Sequence, residues 1–112
     1  MKLTRLEQEV LNQFVSHLGQ VCPKQIRSVI LYGSKARGDS TPDSDLDILL
    51  LVKDRRQIDR DKIYDFILDA ELEHSIDISL SIYDAKEFDR MTRWQIPFAA
   101  NVARDGEVLW RV

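Results

Sequence analysis

Residues 30–52 read ILYGSKARGDSTPDSDLDILLLV. A β-rich run, Ile26–Tyr32, stops at Gly33, and Ser34 to Arg37 can open a short helix. Gly38 to Ser44 holds Gly, Pro, Ser and Asp and reads as a loop. Asp45 to Val52 then reads as a second strand, apolar on both faces after its first residues, the pattern of a strand covered on both sides. Two acids, Asp45 and Asp47, stand at the head of that run. Side chains two apart on a strand point to the same side, so both carboxylates project from one face.

Outward from this centre, the chain alternates helical and strand patterns. Leu3, Leu6, Val10, Leu11, Phe14, Val15 and Leu18 recur at three- and four-residue steps, which predicts a helix with Thr4 as its cap and Gly19 as its stop. Ile58, Ile63, Phe66, Ile67 and Ala70 mark another. Residues 76–83, IDISLSIY, alternate strictly, with Ile76, Ile78, Leu80 and Ile82 on one face and Asp77, Ser79 and Ser81 on the other. That is a half-buried strand. Asp84 to Met91 reads as helix. Pro97 suits the first turn of a helix running to about Arg104. Val108 to Val112 reads as a closing edge strand. The expected architecture is an α/β mixed sheet of three to four strands flanked by helices. The length, 112 residues, predicts one domain over 1–112.

Composition limits the function classes. Hydrophobic residues make up 44%, which suits a folded chain. The net charge of −3 argues against a nonspecific nucleic-acid binder. The longest apolar run, Ile48 to Val52, cannot cross a bilayer, and MKLTRLEQEV carries charge where a signal peptide would be apolar. One cysteine, Cys22, leaves no internal disulfide and no zinc spacing, which fits a reducing cytoplasm. A chain of this size buries about two-thirds of its unfolded surface, so a large acceptor must be recognised by a shallow face or another chain. Trp94, Phe98 and Trp110 are expected in the core, with Trp94–Phe98 the stretch best placed to meet a partner. His17 and His74 belong to helix surfaces or ends.

The chemistry follows from three carboxylates and a glycine. If the strand carrying Asp77 neighbours the one carrying Asp45 and Asp47, three anions converge, and they repel unless a cation sits among them. Oxygen ligands without His or Cys suit Mg2+ or Mn2+. The turn at Gly33-Ser34 aims backbone N–H groups outward as an anion cradle, and Ser34 adds a hydroxyl. A nucleoside triphosphate with its metal needs both halves. Lys35 or Arg37 can neutralise phosphate charge; Arg37 can instead brace the loop through Asp39 or Asp43. A P-loop needs Gly-x4-Gly-Lys-Ser/Thr, which is absent. A phosphatase of the haloacid dehalogenase type ends a strand with Asp-x-Asp, whereas here the acids begin one.

Gly33-Ser34, ten residues, then Asp45-x-Asp47, with Arg37-Gly38 inside and Ser44 just before, resembles the signature of the minimal nucleotidyltransferases (MNT) of the DNA polymerase beta superfamily. The resemblance is tight over residues 26–52 and looser elsewhere. It implies that Asp45 and Asp47 hold two metal ions with Asp77 as third carboxylate and catalytic partner. It also implies that Gly33, Ser34, Arg37 and Ser44 meet the nucleotide. Small MNT proteins are commonly antitoxins that transfer AMP from ATP to a tyrosine of a HEPN-domain ribonuclease toxin. A HEPN toxin is therefore the expected partner, with ATP as substrate and a homo- or hetero-oligomer as the possible assembly. The alternatives are a module that neutralises the toxin by docking alone, and a transferase whose acceptor is RNA or a small molecule.

Overall fold

The structure, a computed structural model, describes residues 2–112. Helix α1 spans Arg5–Val21. Strand β1, Ile26–Tyr32, leads into the short helix α2, Gly33–Arg37. Strand β2, Leu46–Val52, is followed by a 3-10 turn at Arg55–Gln57 and helix α3, Arg60–His74. Strand β3, Ile78–Asp84, runs directly into helix α4, Ala85–Arg93. Helix α5, Pro97–Asp105, and strand β4, Glu107–Arg111, close the chain. Among the described residues, no helix is long and apolar enough to cross a membrane.

The four strands form one mixed sheet in the order β3-β2-β1-β4. β1 pairs antiparallel with β2 and with β4, while β2 and β3 run parallel. Parallel neighbours need a crossover, and α3 supplies it. The alternation of β2 divides its side chains between two cores. Leu46, Ile48, Leu50 and Val52 enter the larger one with Val10, Leu11, Phe14 and Leu18 of α1 and Ile63 and Ala70 of α3. Leu49 and Leu51 enter a smaller one with Phe88, Ala99 and Val102 of α4 and α5. This explains the near-continuous apolar run: β2 is an inner strand covered on both faces. Each fully buried Leu or Ile here contributes roughly 1.5–3 kcal/mol. Phe14 and Phe66 meet at 5.3 Å between ring centroids, which joins α1 to α3.

Several expectations shift. Gly19 does not stop α1, which continues to Val21. It ends where Cys22 N–H donates back to the Leu18 carbonyl and Pro23 cannot extend the ladder. Trp94 is not core: it caps the end of α4 and is 77% exposed, and Trp110 lies partly open on the edge strand. Phe98 is half-buried in an aromatic group with Tyr32, Tyr83 and Phe88. His17 braces the helix pair, with Nε2 at 2.8 Å from the Lys62 carbonyl.

Candidate active site

β1 hands the chain to α2 through Gly33, whose φ of +76° is left-handed. Strand pairing then sets Tyr32 opposite Asp47. A β-carbon at Gly33 would lie 3.1 Å from the Asp47 carboxyl carbon and collide with Oδ2. The glycine is therefore required twice, by its backbone angle and by the acid packed against it. The residue before α2 offers its first turn no side-chain hydrogen bond. An uncapped helix start of this kind can meet an anion, here beside the acid packed on Gly33. Ser34 lies within α2 rather than capping it, and its carbonyl accepts N–H bonds from Gly38 at 2.9 Å and Asp39 at 3.2 Å. Those bonds tie the end of α2 into the loop that follows.

Asp45 and Asp47 share the β2 face that carries Leu49 and Leu51. Asp47 is half-buried and Asp45 exposed. Burial pushes the Asp47 carboxyl above its ordinary value, and the Asp45 charge pushes it further, while Arg37 pulls it back. Like charges this close add to the cost of burying the Asp47 carboxylate, a cost that a cation between them would offset. In the parallel ladder, Leu46 pairs with Ile78 and Asp47 with Ser79. Asp77 precedes β3 rather than lying within it; its carbonyl accepts the Leu46 N–H at 2.9 Å. Asp77 thus stands beside Asp45 on the neighbouring strand end. The two acids line a cavity of about 230 Å3 together with Asp43, Ser44 and Ser75.

Among the described residues, no three carboxylates come close enough to hold one ion in this conformation. The donor set nonetheless fits a hard divalent cation. Asp45 and Asp47 supply the like-charged oxygen pair that Mg2+ takes, leaving its other positions to water and phosphate. Asp77 sits one strand away at the same end.

The two cations of α2 take different roles from one another. Lys35 turns into the fold rather than toward a bound phosphate. It is 4% exposed, with Nζ 2.9 Å from Glu7 Oε2, beneath the N-terminus of α1. Glu7 also closes a capping box: Thr4 N–H donates to Oε1 at 2.9 Å, and Glu7 N–H donates to Thr4 Oγ1 at 3.0 Å. The Lys2 N–H reaches the Lys35 carbonyl at 2.8 Å. The start of α1 is therefore fastened to the turn that bears the glycine. The Thr4-x-x-Glu7 spacing announces the cap, but nothing local announces its lysine. Arg37 braces as one of its expected readings allows, to Asp39 at 3.2 Å, and also to Asp105 of α5 at 3.4 Å. Ser44 turns inward on its own loop: its Oγ accepts the Thr41 N–H at 3.0 Å.

Tyr32 and Ser79 were not expected here. Tyr32 lies on the carboxylate face and reaches over β2, its hydroxyl 3.4 Å from Ser81 Oγ. Ser79 is the cross-strand neighbour of Asp47. Only the parallel pairing brings the serines of IDISLSIY to this place.

The chain matches the family model described as Nucleotidyltransferase domain over residues 9–103. Two proteins of Methanocaldococcus jannaschii named "Putative protein adenylyltransferase" are similar to it. MJ0604 is 31% identical over 104 residues, which covers 93% of this chain and 98% of that protein. MJ0141 is 34% identical over 76 residues, covering 67% and 77%. A toxin–antitoxin crystal structure with AMP-PNP superposes at a TM-score of 0.62 with 21% identity, over 90% of this chain and 73% of that one. The tri-AMPylated Shewanella oneidensis HEPN toxin in complex with MNT antitoxin gives 0.57 with 19% identity, over 94% and 72%. The order of strands, the glycine turn against the acid pair and the match along nearly the whole chain lead to one assignment: this chain belongs to the nucleotidyltransferase domain family and is a nucleotidyltransferase.

Proposed function

We propose that this protein moves AMP from ATP to the hydroxyl of a tyrosine on a partner HEPN-type toxin, silencing it, in a reducing cytoplasm. One observation carries the reading: Gly33 is packed on Asp47, so the phosphate cradle and the acid pair form one surface. The names of the relatives, and the AMP-bearing toxin complex with the same fold, favour AMP and a protein acceptor.

The acceptor oxygen attacks the α-phosphorus in line, forming the O–P bond as the bond to the bridging oxygen breaks and pyrophosphate leaves. Asp77, beside Asp45 at the end of the neighbouring strand, takes the acceptor proton. Backbone N–H groups of the Gly33–Ser34 turn hold the β- and γ-phosphates, with the Ser34 hydroxyl beside them. Two Mg2+ ions on Asp45, Asp47 and Asp77 would lower the acceptor pKa and offset charge on the leaving pyrophosphate, with Mn2+ able to replace them. Arg37 and Ser44 hold the 38–44 loop over the nucleotide.

Intact mass of a co-purified helical partner after ATP and Mg2+ tests this. The partner gains the mass of AMP with wild-type protein and gains nothing with Asp45→Asn/Asp47→Asn. Neutralisation of the partner one to one, without ATP and without mass gain, would identify a docking module instead. Label appearing on RNA or a small molecule would move the acceptor.

A further inference from the structure

Helix α3 has apolar side chains on two sides. One side is spent in the core: Ile63 and Ala70 are buried, and Phe66 and Ile67 pack against them. A helix with one core-facing stripe normally turns charge to solvent on the other. Here Tyr64, Leu68 and Leu72 recur every four residues and are 42%, 51% and 73% exposed. Four-residue spacing sets them in one row along the helix, about 12 Å long. Asp61, Asp65 and Glu71 flank the row and, with Tyr64, Ile67 and Leu68, line an open groove of about 550 Å3. No cationic residue lines it. None of the three carboxylates forms an ion pair among the described residues. An apolar row edged by uncompensated negative charge is a recognition surface rather than a solvated face.

We propose that this face docks an amphipathic helix of a partner protein, one whose apolar stripe is edged by Lys or Arg. The charge selects the occupant. A second copy of this chain laid face to face would bring the same carboxylates together, and nucleic acid or an anionic lipid surface would be repelled. A basic helix places its apolar side chains over Leu68 and Leu72 and its cations against Asp61, Asp65 and Glu71. The position gives the docking a purpose. From Leu72 the chain passes through His74 and the left-handed Ser75 to Asp77. A helix lying along α3 therefore ends beside the cavity that Asp45 and Asp77 line. This inference rests on the reading that the acceptor is a protein, and it names the surface that holds it.

The test uses the full chain, isotopically labelled for NMR, and three synthetic peptides of about four helical turns. One alternates leucine and lysine at helical spacing, one scrambles that composition, and one replaces every lysine with glutamate. The first is expected to shift the amides of Tyr64, Leu68 and Leu72 and to bind at least about tenfold tighter than the other two. Leu68→Ser and Leu72→Ser each weaken it about tenfold. Asp65→Lys/Glu71→Lys reverses the preference toward the glutamate peptide. Absence of binding, equal binding of the scrambled peptide, or shifts centred away from α3 would overturn the proposal. Leu72 is exposed enough that its substitution leaves the fold intact, which circular dichroism confirms. The Asp45→Asn/Asp47→Asn variant binds the peptide as wild type does. Failure of the peptide with transfer intact thus removes the docking face alone, and failure of transfer with binding intact removes the chemistry alone.

Discussion

Gly33 and Asp47 lie in contact across the β1–β2 pair, with the acid occupying the space a side chain at position 33 would fill. The turn and the carboxylate are one unit, so altering either moves the other. Gly33→Ala faces two penalties, a left-handed φ and a collision with the acid. It is expected to lose about 2–4 kcal/mol of stability, of which the backbone angle accounts for about 1–2 kcal/mol. Asp47→Ala keeps its β-carbon 3.4 Å away, an ordinary contact. Gly33→Ala/Asp47→Ala is therefore expected to recover the steric share and leave the angular share. Chemical denaturation of the two single variants and the double measures the coupling; strict additivity would separate the glycine from the acid.

The Lys35–Glu7 pair is buried, and its two halves are unequal alone and together. Lys35→Met leaves Glu7 charged and unpaired, at an expected cost of about 3 kcal/mol. Replacing both by Met and Leu costs less than the sum of the single changes, because no stranded charge remains. Acid titration of stability carries the same signature. Burial alone would raise the Glu7 carboxyl, but the Thr4 N–H and Lys35 outweigh it and hold the pKa below 4.5. A depressed carboxyl pKa stabilises the fold above the unfolded value and loses that contribution as pH falls through the folded value. Glu7→Gln is therefore less stable than wild type at neutral pH. The gap closes below pH 4.5, and melting curves across that range reveal it.

Arg37 holds two acids, and the two readings of its role separate by substitution. The Arg37 side chain is open to solvent in both pairs and Arg104 still pairs with Asp105 without it, so Arg37→Ala changes stability little. If the arginine braces the loop through α5, Asp105→Asn weakens ATP binding in the same direction as Arg37→Ala. If it meets the phosphates directly, Asp105→Asn leaves ATP affinity unchanged while Arg37→Ala lowers it. The geometry, with Asp105 Oδ2 shared between Arg37 and Arg104, predicts the first outcome. Isothermal titration with a nonhydrolysable ATP analogue distinguishes them.

Much of this architecture was legible in local pattern. The 3-4 spacing of Val10, Leu11, Phe14 and Leu18 marked α1, and the apolar run after Asp47 marked an inner strand. The alternation of IDISLSIY marked β3. Long-range placement was not legible. Nothing near Lys35 says that its ammonium turns toward Glu7, because that pair joins α2 to the first turn of α1, far away in sequence. Gly19 looked like a stop because a lone glycine weakens a helix, but packing of Leu18 and Val21 carries α1 one step further. Tyr32 and Ser79 joined the carboxylate face only through strand register, which no short window contains. Residue type alone points Trp94 to the core, whereas the end of α4 leaves it open.

The central claim is that Asp45, Asp47 and Asp77 share bound metal opposite the Gly33 turn. Paramagnetic broadening by Mn2+ in the presence of a nonhydrolysable ATP analogue reads it residue by residue. The amides of Gly33, Ser34, Asp45, Asp47 and Asp77 are expected to broaden together, and Asp45→Asn/Asp47→Asn to abolish the effect at all five. Broadening centred elsewhere, or broadening that spares Asp77 or survives in the double variant, would contradict the account.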